Sequence, residues 1–196
     1  MRWTLRQWCN VFVLISVLLA PGAALANSPD WQALFAGEVM IDTVQHLDDM
    51  SGLRALFTIA ATREHIWTTL IDYDNFPKIF PDIQKVRVLE QDQHGAQVEF
   101  WIDAMLSTYH YVLQRRYAEP RRRLTWTRVA GDLKRIEGSW EIRDTPRSGI
   151  HMLVYESYVD VGGLAPAFIV RMEATRRIRQ MSERLRSWIE GRPVSE

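Results

Sequence analysis

Apolar and polar residues alternate along most of the chain between residues 53 and 160, and this period of two predicts β-strands. The clearest case is residues 53–60, where every second residue is apolar. Six further alternating segments follow, at residues 85–91, 96–103, 107–118, 123–129, 135–143 and 150–160, and turn-forming residues separate them. Short strands at this spacing predict an antiparallel meander. A weaker alternation in residues 37–45 predicts an additional edge strand.

Two short helices are expected between the first strong strand and the meander. Thr62 precedes a helical pattern over residues 63–71, and its hydroxyl can cap the first turn. The stretch DYDNFPKIFPDIQKVRVLE then places Pro77 and Pro81 four residues apart. Proline is tolerated in the first turn of a helix but not inside it. A second short helix is therefore expected near residues 75–80.

A long amphipathic helix is expected over residues 166–189. Its apolar positions at helical spacing are Phe168, Met172, Ile178, Met181, Leu185 and Trp188, and its other face is rich in arginine. An antiparallel sheet has one face to bury, and this helix is long enough to cover it. The sequence thus predicts an α+β fold: a six- to seven-stranded antiparallel sheet wrapped around a long C-terminal helix, with two short helices after the first strand. A twisted sheet does not lie flat on a helix, so a space is expected between them.

The N-terminus has the pattern of a secretory signal. Arg2 and Arg6 precede an apolar run at residues 11–20, and the tripeptide ALA at residues 24–26 provides the small residues of a cleavage site. The apolar run is too short to span a membrane. We expect cleavage after Ala26 and a periplasmic or secreted protein, with an uncleaved anchor as the alternative.

The chain then divides into a signal peptide (residues 1–26), an N-terminal extension (27–52), one domain (53–190) and a tail (191–196). The single cysteine, Cys9, lies in the signal. The mature protein would lack cysteine, which excludes disulfides, thiol catalysis and cysteine metal sites. A secreted chain without disulfides suits a bacterial periplasm.

Charge and motifs narrow the function further. Lys+Arg and Asp+Glu both number 24, which argues against a general nucleic-acid binder. The five histidines lack metal-ligand spacing, so no metal site is expected, and no cofactor is expected either. The sequence contains no nucleophile motif, so no catalytic residue is assigned. Arginines at residues 121–123 and along the last helix suit a transient contact with a membrane surface, or else are solvated and paired with acids. Nothing in the pattern indicates an oligomeric state.

Three segments carry a resemblance to a known family: DYDNFPKIFPDIQKVRVLE, EGSWEI at residues 137–142, and VYESYVDVGGLAPAFIVRM at residues 154–172. Together they resemble the START-like or SRPBCC superfamily, the helix-grip fold, and in particular its polyketide-cyclase and coenzyme Q-binding branch. The resemblance covers roughly residues 53–188 and implies an apolar cavity between sheet and helix. Its members include lipid carriers, hormone receptors, aromatase/cyclases and toxins, so the fold alone does not define the function.

The resemblance implies non-covalent binding or transport of a hydrophobic small molecule, lipid or isoprenoid-like, and the signal pattern adds the expectation that this occurs in the periplasm. The expected ligand-binding residues are Phe76, Phe80, Phe100, Tyr111, Trp126, Trp140, Tyr155, Phe168 and Met172. The apolar knob at residues 76–80 and the pair Gly162-Gly163 would form a gate. The same aromatic residues would also suit a solid core.

Two other functions are compatible with the fold. A cyclase or dehydratase acting on a polyketide-like substrate would use Tyr109, Tyr111, Tyr155 and Arg115 as acid–base groups. The structural feature that would indicate such an enzyme is a buried tyrosine or acid with a strongly shifted pKa beside a polar-lined cavity. A protein-interaction module would instead show a filled cavity and an exposed apolar patch.

The signal pattern generates the first prediction. Protein recovered from the periplasmic fraction should begin at Asn27, because signal peptidase cleaves after small residues at this spacing. N-terminal sequencing or intact mass measures the cleavage site. A full-length chain that starts at Met1 and fractionates with the cytosol would contradict it.

Overall fold

Eight antiparallel strands form one sheet in the computed structural model, which describes residues 28–46, 48, 50–104, 107–118, 121–160 and 167–192. The strands are β1 (Met40–Gln45), β2 (Ser51–Ile59), β3 (Ile83–Gln91), β4 (Gly95–Ala104), β5 (Ser107–Ala118), β6 (Arg123–Gly131), β7 (Arg135–Asp144) and β8 (His151–Asp160). Their order in the sheet is β1-β2-β8-β7-β6-β5-β4-β3. From β3 to β8 each strand pairs with the next along the chain, which confirms the predicted meander.

The sheet has one strand more than the upper number predicted, because the weak edge strand is fully formed. β1 pairs with β2 along its whole length, from Met40 opposite Leu56 to Gln45 opposite Ser51. A short helix, α1 (Trp31–Phe35), precedes it. The segment expected as an N-terminal extension therefore contributes both a helix and an edge strand to the fold.

α1 packs on the outer face of the sheet. Its first turn is capped by Asp30, whose Oδ1 accepts a hydrogen bond from the Ala33 backbone N–H at 3.0 Å. Leu34 is fully buried against Met152 and Val154 of β8. This small second core was absent from the sequence expectation, since a single turn of helix leaves almost no periodic signal.

The two short helices lie between β2 and β3, as predicted. α2 (Arg63–Leu70) begins after Thr62, whose Oγ1 accepts a hydrogen bond from the His65 backbone N–H at 3.2 Å. A 3₁₀ turn (Tyr73–Asn75) then leads into α3 (Phe76–Ile79), with Pro77 in its first turn. The proline places the helix start where its missing N–H costs nothing.

The long helix α4 (Ala167–Glu190) packs against the inner face of the sheet. Its buried positions are Ile178, Ser182, Leu185 and Ile189. Met172 and Trp188 are 66% and 43% exposed, so their expected place in the buried stripe is wrong. At 3.6 residues per turn, Met172 lies roughly 120° around the helix from Ile178, and Ile189 continues the buried stripe in place of Trp188.

The main core lies between the inner face of the sheet and helices α2, α3 and α4. Gly138 on β7 has a defined role in it: a Cβ there would lie 2.4 Å from Cζ2 of Trp126 and 2.3 Å from the carbonyl oxygen of Glu156. The missing side chain lets the indole lie directly over the neighbouring strand. Within the described residues, none of the helices has the length and apolarity to cross a bilayer.

Matched leucine variants test this core. Leu153→Ala on β8 removes a fully buried side chain and should lower the free energy of unfolding by about 2–5 kcal/mol. Leu89→Ala on β3, where the side chain is 41% exposed, should change it by about 0.5 kcal/mol or less. Urea denaturation measures both values, and similar losses would contradict the assigned core.

Candidate functional site

A cavity of about 370 Å³ lies between the inner face of the sheet and α4. Strands β4 to β8 supply one wall, the end of α3 and the start of β3 supply another, and α4 covers the space. Most of the lining side chains are aromatic or aliphatic. Side chains therefore do not fill the core completely. The volume of the cavity falls in the usual range for small-molecule pockets.

Seven of the nine predicted ligand-binding residues line this cavity: Phe76, Phe80, Phe100, Tyr111, Trp126, Trp140 and Tyr155. Met172 does not, because it lies on the solvent side of α4. The helix instead contributes Ile178, Met181 and Leu185. The side chain of Phe168 and the pair Gly162-Gly163 lie outside the described residues. A role in binding stays a prediction for the seven.

One group of aromatic rings runs from the end of α3 onto the sheet. The ring centroids of Phe80 and Phe76 are 5.3 Å apart, those of Phe76 and Phe100 are 6.3 Å apart, and those of Phe100 and Tyr111 are 5.8 Å apart. Phe100 and Tyr111 are direct cross-strand neighbours on β4 and β5. Because paired residues point to the same face, the strand register itself brings these rings together.

A second group covers the floor of the cavity. Trp126 stacks on Tyr155 at 5.7 Å, and Tyr155 contacts Trp140 at 4.6 Å. Trp140 and Tyr155 are cross-strand neighbours on β7 and β8, and Trp126 reaches over Gly138, its own partner on β7. The glycine thus permits the close approach that completes this group.

Arg115 is the charged side chain placed deepest among these rings. It lies on β5, four residues beyond Tyr111 and on the same face, and is only 3% exposed. The centre of its guanidinium lies 4.9 Å from the ring of Tyr73 and 5.6 Å from those of Phe76 and Trp126. Within the described residues, its Nε has no hydrogen-bond partner. The rings hold the cation but leave its N–H donors available.

The two cavity tyrosines remain neutral over a wide pH range. Burial raises the pKa of Tyr111, the neighbouring Tyr155 raises it further, and the charge of Arg115 opposes the change. Burial also raises the pKa of Tyr155, against the effect of a hydrogen bond with Ser157. Each phenol can donate or accept a hydrogen bond without introducing charge into the cavity. Tyr109, the third tyrosine considered, does not line it.

Polar side chains gather at the end of the cavity near β3 and α4. Asp82, Arg177, Gln180 and Arg184 line it there. Arg177 Nη1 lies 2.5 Å from Asp82 Oδ2, and its Nε lies 2.7 Å from Oε1 of Glu173. The pair with Asp82 joins α4 to the start of β3, and the pair with Glu173, like that of Arg176 with Glu173, lies within α4. We call Asp82, Glu173, Arg176 and Arg177 the rim cluster.

The predicted ligand-binding set omitted several lining residues. Leu113 carries a usable signal, because it follows Tyr111 by two positions along the same strand face; Arg115, named above only as an acid–base group of the alternative enzyme, follows Tyr111 by four. Asp82 and Arg177 carry none, since the segment after α3 and the long helix meet only in the tertiary structure. Clusters of three or more His, Cys, Asp or Glu that could hold a metal do not occur in the described part of the chain.

The family follows from comparison with known proteins. A family profile described as "Polyketide cyclase / dehydrase and lipid transport" matches residues 59–186, more than half of the chain. The protein belongs to this family. Its START-like character, expected from the sequence, is confirmed. Among curated proteins, no sequence matches significantly.

Solved structures show the same fold at low sequence identity. A START superfamily protein from Mycobacterium smegmatis is 16% identical with a TM-score of 0.61, and the match covers 79% of this chain and 99% of that one. The Zhui aromatase/cyclase from Streptomyces sp. R1128 is 19% identical with a TM-score of 0.61, over 77% and 94% of the two chains. A STAR-related lipid transfer protein from Xanthomonas axonopodis is 14% identical with a TM-score of 0.61, over 77% and 93%. The predicted helix-grip fold is confirmed.

The rim cluster generates a pH prediction. Hydrogen bonds from Arg176 and Arg177 lower the pKa of Glu173 from 4.5 to about 2. Because the folded-state pKa lies below the unfolded value, this stabilisation is present above pH 4.5 and is lost as the pH falls towards 2. Glu173→Gln should therefore lower Tm at pH 7, and the difference from the parent should vanish across that range.

Thermal denaturation as a function of pH measures the effect. Glu183→Gln, which removes an exposed carboxylate from the same helix, is the matched control and should lower Tm at pH 7 by less than Glu173→Gln. A Tm difference for Glu173→Gln that is the same at pH 7 and at pH 2 would contradict the assigned ion pairing.

Proposed function

We propose that this protein binds or carries a hydrophobic small molecule, lipid or isoprenoid-like, in the cavity under α4. Binding is non-covalent and is driven by the removal of apolar ligand surface from water, which contributes about 0.8 kcal/mol per buried CH₂ before the costs of association.

The cavity itself carries this proposal. The aromatic residues predicted to form either a core or a pocket leave about 370 Å³ between sheet and helix. Cores pack to the density of organic crystals and rarely leave voids of this size. An apolar space with a few polar groups is the usual form of a small-molecule site.

The comparisons are consistent with the same function. The family description names lipid transport together with cyclase and dehydrase activity, and one structure of similar fold is a STAR-related lipid transfer protein. Similarity at this identity supports a shared architecture, and the ligand follows from the site.

The proposal places the protein in the bacterial periplasm, because residues 1–26 have the pattern of a cleavable secretory signal. It includes a transient contact with a membrane surface, at which a lipid ligand would be exchanged. Arg171 and Met172 on the exposed side of α4 support this contact, as a cation beside an exposed apolar side chain. Arg121, Arg122 and Arg123 support it less, since each is paired with a carboxylate.

The alternative function is a cyclase or dehydratase. The buried Tyr111 and Tyr155, with raised pKa values, satisfy part of the sign expected of such an enzyme. The remainder, a polar-lined cavity, is not met: most of the described lining residues are aromatic or aliphatic, and the one carboxylate among them, Asp82, is paired with Arg177. Neutral phenols donate hydrogen bonds but are poor bases. The geometry therefore favours a binding protein.

The interaction-module hypothesis has less support. It requires a filled cavity and a contiguous exposed apolar patch. The cavity is unfilled. The exposed large apolar side chains of the described residues come from different elements: Val88 and Leu89 on β3, Val129 on β6, Val159 on β8, and Met172 and Trp188 on α4.

A variant of the α3 knob tests the gate. Phe80 is partly exposed and lines the cavity. Phe80→Asp puts a carboxylate on this apolar wall and should weaken binding of the neutral fluorescent probe N-phenyl-1-naphthylamine by at least about tenfold, or 1.4 kcal/mol. The free energy of unfolding should fall by about 1 kcal/mol or less, since the side chain is not fully buried.

Phe35→Asp is the matched control. Phe35 is also partly exposed, but lies on the outer face beside Arg147. Its variant should bind the probe with unchanged affinity. Probe fluorescence and urea denaturation provide the two free energies, and equal losses of binding and folding in Phe80→Asp would contradict a gate.

A further inference from the structure

Arg115 lacks a counter-ion within the described residues. Two other arginines, both on α4, have acceptors: Arg177 pairs with Asp82 and Glu173, and Arg186 donates to the carbonyl oxygens of Thr58 and Gly37 at 2.9 and 2.7 Å, although its Nη2 has no partner within the described residues. Arg115 is 3% exposed, its Nε has no hydrogen-bond partner within the described residues, and its guanidinium lies close to the rings of Tyr73, Phe76 and Trp126. Buried charges are otherwise paired, so this donor group lacks the acceptor that its position requires.

The position of Arg115 gives the cavity two unlike ends. The lining near Asp82 and Gln180 is polar and exposed. Around Arg115 the lining residues Phe76, Leu113 and Trp126 are 7%, 7% and 6% exposed. A single cation thus lies at the buried, apolar end. A purely hydrocarbon ligand would leave this cation without an acceptor and would gain nothing from it.

We infer that the ligand is an amphipathic monocarboxylate whose acid group binds Arg115 while its apolar body extends towards the rim cluster. This deepens, and rests on, the proposed binding of a hydrophobic molecule. The planar guanidinium presents parallel N–H donors that match the two oxygens of a carboxylate. Tyr111 on β5 and Tyr155 on β8 line the same cavity as neutral phenols and add hydrogen-bond capacity without repelling the anion.

The cavity volume indicates the size of the probe to use. About 370 Å³ corresponds to roughly a dozen water volumes of about 30 Å³ each. Decanoate, with about a dozen non-hydrogen atoms, fits this volume. 1-Decanol and decylammonium share its chain and differ in the charge of the head group, so the three probes separate apolar burial from charge recognition.

Isothermal titration calorimetry of the three probes tests the inference on the ligand-stripped protein, with decanoate and decylammonium below their micellar concentrations and 1-decanol below its solubility limit. Decanoate should bind about 10- to 100-fold more tightly than 1-decanol, the range of a hydrogen-bonded charge pair, and decylammonium should bind most weakly. In Arg115→Met, which keeps an apolar side chain of similar length, decanoate should lose this advantage while 1-decanol binds at least as well. Arg116→Met, the exposed neighbour, is the matched control and should behave as the parent.

The outcomes distinguish failure of the carboxylate inference from failure of the proposed binding function. Equal affinity of the parent for decanoate and 1-decanol would overturn the carboxylate inference and leave the proposed binding function intact. Failure of all three probes to bind would contradict the proposed function. The comparison of decanoate with 1-decanol in the parent protein does not depend on the folding of any variant. Arg115→Lys keeps the charge but loses the paired donors, so it should give an intermediate preference for decanoate.

Discussion

The packing of α4 against the inner face of an eight-stranded sheet is the contact on which the rest of the structure depends. A helix is close to straight, whereas an antiparallel sheet twists from strand to strand. α4 buries Ile178, Leu185 and Ile189 against the core and cannot follow the whole sheet. The gap that remains is the cavity, and the short helices and the start of β3 close its side. The pocket is thus a consequence of joining these two shapes.

Strand register then determines the chemistry of that gap. Cross-strand pairs such as Phe100 with Tyr111 and Trp140 with Tyr155 point the same way, so aromatic rings accumulate on the inner face. The same alternation that places Tyr111 inside also places Arg115 inside, four residues further on. The result is an apolar chamber with one cation at its buried end. This asymmetry distinguishes the site from a uniformly apolar pocket and gives a ligand a preferred orientation.

Most of the fold could be predicted from the sequence because its elements have strong local periods. The meander strands, the capped helix α2 and the proline-started helix α3 each follow from patterns within ten residues or so. The errors come from tertiary geometry. Met172 has helical spacing, but the phase of α4 against the sheet turns it to solvent. Leu34 is buried only because a single turn of helix docks on the outer face of β8.

The site was predictable to a similar extent. Period-two alternation identifies the inward aromatic residues and, read further along β5, Arg115 as well. The sequence alone does not predict the rings that surround Arg115, because Tyr73 and Phe76 come from a part of the chain distant from Arg115 and Trp126 comes from a different strand. The sequence alone does not predict the rim cluster either, because this cluster forms where α4 meets the start of β3. The absence of a counter-ion is visible only once those neighbours are known.

Native mass spectrometry of the protein, purified gently from the envelope fraction of its host, tests the central claim most directly. We expect a reproducible added mass that is released on denaturation and identified as a small hydrophobic molecule. A bare protein mass that does not shift when a lipid extract of the host is added would contradict it, and the cavity would then have to serve another function.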